Sequence, residues 1–129
     1  MKVLVLSSGE LKEKEIGNEL EDLQKIVGGY IEIPFLSKVF FENVIDMIIN
    51  EEGKFIEGLK PEIAIVGKET NALFDIVYGN CIFASHNEDG ETIGLNDEQI
   101  DIVKEELRMM AALTDKNTGK NFIAKVLLV

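Results

Sequence analysis

The chain has 129 residues, 46% of them hydrophobic, which suffices for one core and predicts a single domain over residues 1–129. Its 24 acidic against 13 basic residues leave a net charge of −11, a field that repels phosphate backbones and argues against direct nucleic-acid binding. The lone Cys81 excludes an internal disulfide. No apolar stretch approaches the roughly 18 residues of a membrane span, and the strand-like start lacks a signal-peptide pattern, so a cytoplasmic protein with no membrane partner is expected.

Residues 2–7 (KVLVLS) are Leu-rich and β-branched and predict a strand, with the polar stretch ending at Ile16 as its short partner. A helix follows over residues 18–27. Asn18 and Glu21 have capping-box spacing, acids crowd the first turn, and Leu20, Leu23 and Val27 form an apolar stripe. Gly28 is its left-handed stop. Residues 30–36 predict a strand that Pro34 bends or confines to an edge, residues 44–49 another, and Glu51 to Lys54 a turn. After Leu59-Lys60-Pro61 come a strand over 62–66 and a long run over 74–85, with a bulge expected at Gly79-Asn80. Asn87-Glu88-Asp89-Gly90 closes a hairpin onto Thr92-Ile93.

The second main helix is predicted over residues 97–114. Asn96 and Gln99 form a capping box, Leu95 and Ile100 a staple, and Ile100, Val103, Leu107, Met110 and Ala111 a buried face. A turn over 115–119 then leads to the apolar tail 122–129, which a strand position in the same sheet or another subunit must cover. The pattern predicts an α+β fold, a mostly antiparallel sheet with two main helices in a compact domain.

Residues 23–32 (LQKIVGGYIE), Asn50 to Lys54 with Gly58-Leu59, residues 75–79 (DIVYG) and residues 95–100 (LNDEQI) together resemble the small family called domain of unknown function 3846. The resemblance covers a core of about residues 2–107. It implies a small single domain of phages and mobile elements with no established activity. The segment 37–43 is longer than in the shortest members, and the tail 114–129 lies beyond the family core.

Candidate chemistry is sparse. With His86 and Cys81 each single in the sequence, no zinc cluster is expected. Ser85 precedes His86, but neighbours on a strand face opposite ways, so a nucleophile and base pair is not expected and His86 reads as a hairpin-end residue near solvent. The stretch 85–96 fails as a calcium loop at Ser85 and Asn96, and Gly53-Lys54, Gly67-Lys68 and Gly119-Lys120 lack the phosphate-loop spacing. Acid pairs such as Glu51/Glu52 follow from the abundance of acids. No catalytic residue, cofactor or metal is expected.

The remaining candidate is a ligand site. Gly28 and Gly29 offer amides beside the ring of Tyr30, with Asn50, Lys54 and Arg108 as donors for an anionic ligand. The expected function is non-enzymatic: an accessory protein sequestering a small, nucleotide-like host signal, as a homo-oligomer with Phe122, Val126, Leu127 and Leu128 against a neighbouring chain. The alternatives are an acidic inhibitor or DNA mimic with a basic host protein as partner, and an uncharacterised hydrolase.

Overall fold

A computed structural model describes residues 1–115 and 118–129. The elements in order are β1 (Lys2–Ser7), β2 (Glu10–Glu15), α1 (Leu20–Val27), β3 (Ile31–Glu32), α2 (Lys38–Glu42), β4 (Asp46–Asn50), β5 (Pro61–Val66), β6 (Leu73–Tyr78), β7 (Cys81–His86), β8 (Thr92–Ile93), α3 (Asp97–Glu106), β9 (Met110–Thr114) and β10 (Asn121–Leu128). One sheet runs β2-β1-β7-β4-β3, with β8 also on β7; the other runs β6-β5-β10-β9. Every pairing is antiparallel except β5 with β10, so the fold is α+β and mostly antiparallel, as the sequence predicts.

Period-two alternation divides the side chains of the first sheet between two apolar clusters. Val3, Val5, Ile48, Ile82 and Ala84 point to one face and are covered by Leu23 and Val27 of α1. Leu4, Leu6, Met47 and Phe83 point to the other, against Ile63, Ile65 and Leu127 of the second sheet, Ile100 and Val103 of α3, and Leu107 just after that helix. Phe83 and Leu127 are fully buried. Burying one such side chain contributes about 1.5–3 kcal/mol relative to leaving it in water.

The helix starts follow local chemistry. α3 begins with the expected box, Asn96 Oδ1 accepting the Gln99 amide at 2.8 Å and Gln99 Oε1 the Asn96 amide at 2.9 Å. The cap of α1 lies one residue later than expected, at Glu19 instead of Asn18, the Glu19 amide donating to Asp22 at 3.2 Å, and Leu20 is 52% exposed rather than on the buried stripe. Gly28 ends α1 at φ 83°, the left-handed stop its position predicts.

Elsewhere non-local pairing overrides the local pattern. Residues 110–114, predicted as the end of the second helix, form β9, because β10 offers five registered partners from Lys125↔Met110 to Asn121↔Thr114. Met110 is therefore 49% exposed instead of lying on a buried helix face. Of residues 30–36, only Ile31–Glu32 pairs. The run 74–85 is not one bulged strand: Gly79, at φ 86°, takes the chain from β6 in one sheet to β7 in the other. Lys116 and Asn117 of the expected turn lie outside the described residues.

The apolar tail is covered by its own chain. β10 lies between β5 and β9, with Ala124, Val126 and Leu127 buried. The motive for placing Val126 and Leu127 against another subunit is thereby removed. One buried carboxylate ties the second sheet to the first: Glu62 on β5 accepts the amides of Ser8 at 3.0 Å and Gly9 at 2.8 Å, in the turn joining β1 to β2.

Candidate functional site

The site is built by the segment between β3 and β4. Ser37, itself buried, caps α2 by accepting the Phe40 amide at 3.2 Å, fixing the start of a helix only five residues long. Adjacent positions on a helix diverge by about 100°, so Phe40 and Phe41 cannot both face the core. Phe40 turns in and meets Phe83 edge-on, ring centroids 5.8 Å apart. Phe41 turns out, 65% exposed, and meets the 83% exposed Phe35 in a second edge-to-face pair, also at 5.8 Å. These rings border a cleft of about 300 Å³ whose walls include Pro34, Met47 and Leu127.

The polar end of the cleft comes from the chain after α2. Val44 has φ 56°, a conformation costing a β-branched residue on the order of 1–3 kcal/mol. It is held by three contacts: Ser85 Oγ donates to the Val44 carbonyl at 2.7 Å, and Gln99 Nε2 donates to the carbonyls of Asn43 and Val44 at 2.9 and 3.3 Å. β4 then opens with Asp46, whose Oδ2 lies 2.8 Å from His86 Nδ1 at the end of β7. Both residues line the cleft. Because a carboxylate only accepts, it fixes the proton on Nδ1 and leaves Nε2 for another group. The pair is half-exposed at His86, and its own worth is about 0–1 kcal/mol.

Nothing here forms a nucleophile with its base. Ser85 faces away from His86, as strand alternation predicts, and is occupied by Val44 and by Gln99 Nε2 at 3.2 Å. The thiol of Cys81 is fully buried and its pKa is pushed far up, first by burial and then by the charge of Glu62, so it is not a nucleophile. Among the described residues no group of three or more His, Cys, Asp or Glu stands where it could hold a metal ion.

The site predicted from sequence is assembled only in part. Gly28, Gly29, Tyr30 and Asn50 do converge: Asn50 Nδ2 reaches the Val27 carbonyl at 3.0 Å, and the Glu51 amide donates to the Tyr30 carbonyl at 2.8 Å. However, the amides of Gly28 and Gly29 both donate to the Gln24 carbonyl, at 2.8 and 3.1 Å, closing α1 at the negative end of its dipole. They are not an anion cradle. Tyr30 is 70% exposed, Lys54 is paired with Asp75, and Arg108 lies 3.4 Å from Glu105. Arg108 follows α3, which packs on the face of the first sheet opposite to α1, so it does not join the others.

Sequence reasoning passed over Phe35, Phe41 and Asp46. Three phenylalanines within residues 35–41 were the available signal for the rings, since 40 and 41 must diverge. Asp46 and His86 lie forty positions apart and meet only through the pairing of β4 with β7.

These features define a small α+β domain of two sheets with an open aromatic cleft at its surface. Residues 1–108 match the family model described as Domain of unknown function (DUF3846), and the chain belongs to that family. No curated protein and no solved structure matches the chain. The family match ends before β9. No helix among the described residues is long and apolar enough to cross a membrane.

Proposed function

We propose that this protein acts by capture: it takes up a small ligand with a flat ring system in the cleft that Phe35 and Phe41 border and withholds it from other partners. The observation that carries the reading is the exposed aromatic pair, two rings left 83% and 65% accessible beside an open cleft. Such rings offer stacking faces worth about 1–3 kcal/mol per base. A nucleobase suits them, with its polar edge toward Nε2 of His86.

A nucleotide-like host signal, sequestered in the manner of an anti-defence protein of a phage or mobile element, is the finer form of this reading. Its support is the neighbouring groove, which carries Lys38 and Lys68 and shares Ser37 with the aromatic cleft. A phosphate on the bound base meets those cations there despite the net charge of −11. Sequestration needs no catalytic residue, whereas hydrolysis requires a nucleophile or metal beside His86.

Calorimetry with nucleosides and with linear and cyclic nucleotides tests the proposal. Nucleotides bind more tightly than their nucleosides, and Phe35→Ala lowers the affinity for both by about tenfold or more. Lys68→Ala lowers only nucleotide affinity. If no nucleoside or nucleotide binds the wild-type protein the reading fails; salt-sensitive binding of a basic protein instead supports the acidic-inhibitor alternative.

A further inference from the structure

Exposed edge strands present open N–H and C=O groups that template pairing with another chain, and native sheets blunt them by charge, shortness, proline or irregular register. Most edges here carry one of these devices. β2 reads Glu-Leu-Lys-Glu-Lys-Glu, β3 and β8 are two residues each, and β6 has register irregularities against β5 and holds Asp75 paired with Lys54. β9 has none of them. It is Met-Ala-Ala-Leu-Thr, uncharged, without proline, in unbroken register with β10.

The register identifies which backbone groups are open. The Val126 amide donates to the Met109 carbonyl and the Asp115 amide to the Lys120 carbonyl, so 109/126 and 115/120 are hydrogen-bonded pairs. Alternation along an antiparallel ladder then turns both backbone groups of Met110, Ala112 and Thr114 away from β10. The side chains of these three residues are exposed on one face, and Ile123, opposite Ala112, is 66% exposed beside them. Edge and face are therefore both uncovered among the described residues.

We propose that β9 pairs antiparallel with β9 of a second copy of this chain, about a twofold axis at Ala112. Ala112 then faces Ala112 of the partner subunit, where two small side chains fit without a clash, and Met110 faces Thr114 of the partner subunit. Three bonded pairs supply about six backbone hydrogen bonds. A second copy is the occupant because the strip matches itself. It is free of charge between Arg108 and Asp115, so two bodies of net charge −11 can approach there without setting carboxylates against one another along the paired strip. The opposite edge of this sheet, β6, is blunted, so the assembly closes as a dimer instead of growing into a filament.

Sedimentation velocity and light scattering of the full chain, from low to high micromolar concentration, test the pairing. The expected result is a species of twice 14.4 kDa. Ala112→Pro removes an outward N–H only, and Ala112→Lys sets like charges opposite each other; each raises the dimer Kd by at least about tenfold. Circular dichroism shows both variants folded. A wild-type protein that is monomeric at high micromolar concentration overturns the proposal, as does a dimer that survives Ala112→Lys in folded protein. Should Ala112→Pro fail to fold, the lysine variant alone decides.

Discussion

The side-chain amide of Asn50, the last residue of β4, donates at 3.0 Å to the carbonyl of Val27, the last residue of α1. Asn50 Oδ1 accepts the Glu52 amide at 2.8 Å, so one buried side chain seals a helix end and shapes the turn that follows its own strand. Replacing it by alanine leaves a buried carbonyl and an amide without their partner. Asn50→Ala is expected to lower stability by about 1–3 kcal/mol in urea titration. Asn50→Asp, which sets a carboxylate against that carbonyl, is expected to lower it further.

The carboxylate of Glu62 meets two backbone amides of the β1–β2 turn, where Ser8 and Gly9 both have positive φ. Hydrogen bonds to a charged acceptor contribute about 1.5–3 kcal/mol, so Glu62→Ala should lower stability by about 2–4 kcal/mol. Hydrogen exchange should place the loss first at the amides of Ser8 and Gly9. An unchanged exchange rate there would contradict the assignment.

Burial and the nearby Glu62 charge hold the Cys81 thiol protonated well above the ordinary range. In the folded protein the thiol should resist alkylation at pH 8 and become reactive only on unfolding. The sign of the pH effect follows from linkage. Above about pH 9 the unfolded chain releases the thiol proton and the folded chain keeps it, so this group stabilises the fold fully below that pH and loses its contribution as pH rises, by up to about 1.4 kcal/mol per unit. Cys81→Ala should flatten this slope, measured as the difference between urea titrations of the two proteins at pH 8 and pH 10. Glu62→Gln should leave the thiol unreactive, since burial is the larger cause.

Phe35 and Phe41 pair with each other and are both largely exposed. Phe35→Ala should change stability by no more than about 0.5 kcal/mol, the ordinary range for a surface substitution. Phe40→Ala, one position from Phe41, empties a buried site against Phe83 and should cost about 3–5 kcal/mol. Thermal unfolding of the two variants separates the exposed ring from the buried one.

What the sequence disclosed was what local chemistry decides. The start of α3 could be read from Asn96, Gln99 and Leu95, and the end of α1 from Gly28, because a cap satisfies its own neighbours within a turn. The far end of α3 could not. Leu107, Met110 and Ala111 keep helical spacing, yet β10 supplies a partner for Met110 that a helix would forgo, and that partner is visible only once the chain is folded. The same holds for Asp46 and His86, whose meeting depends on how β4 registers with β7. That Gly28 and Gly29 sit beside Asn50 is likewise visible only in the fold, and their amides belong to the helix they terminate.

The position of β10 bears on how the chain is made. β5 and β6 are made more than forty residues before the strand that lies against β5, so from their emergence until the last residues are added Ile63 and Ile65 border a vacant place in the sheet. A nascent chain in that condition presents an apolar edge to whatever surrounds it, and it is a natural client for chaperones until the last strand docks. A fragment trimmed to the family-matched residues 1–108 would be held permanently at that stage.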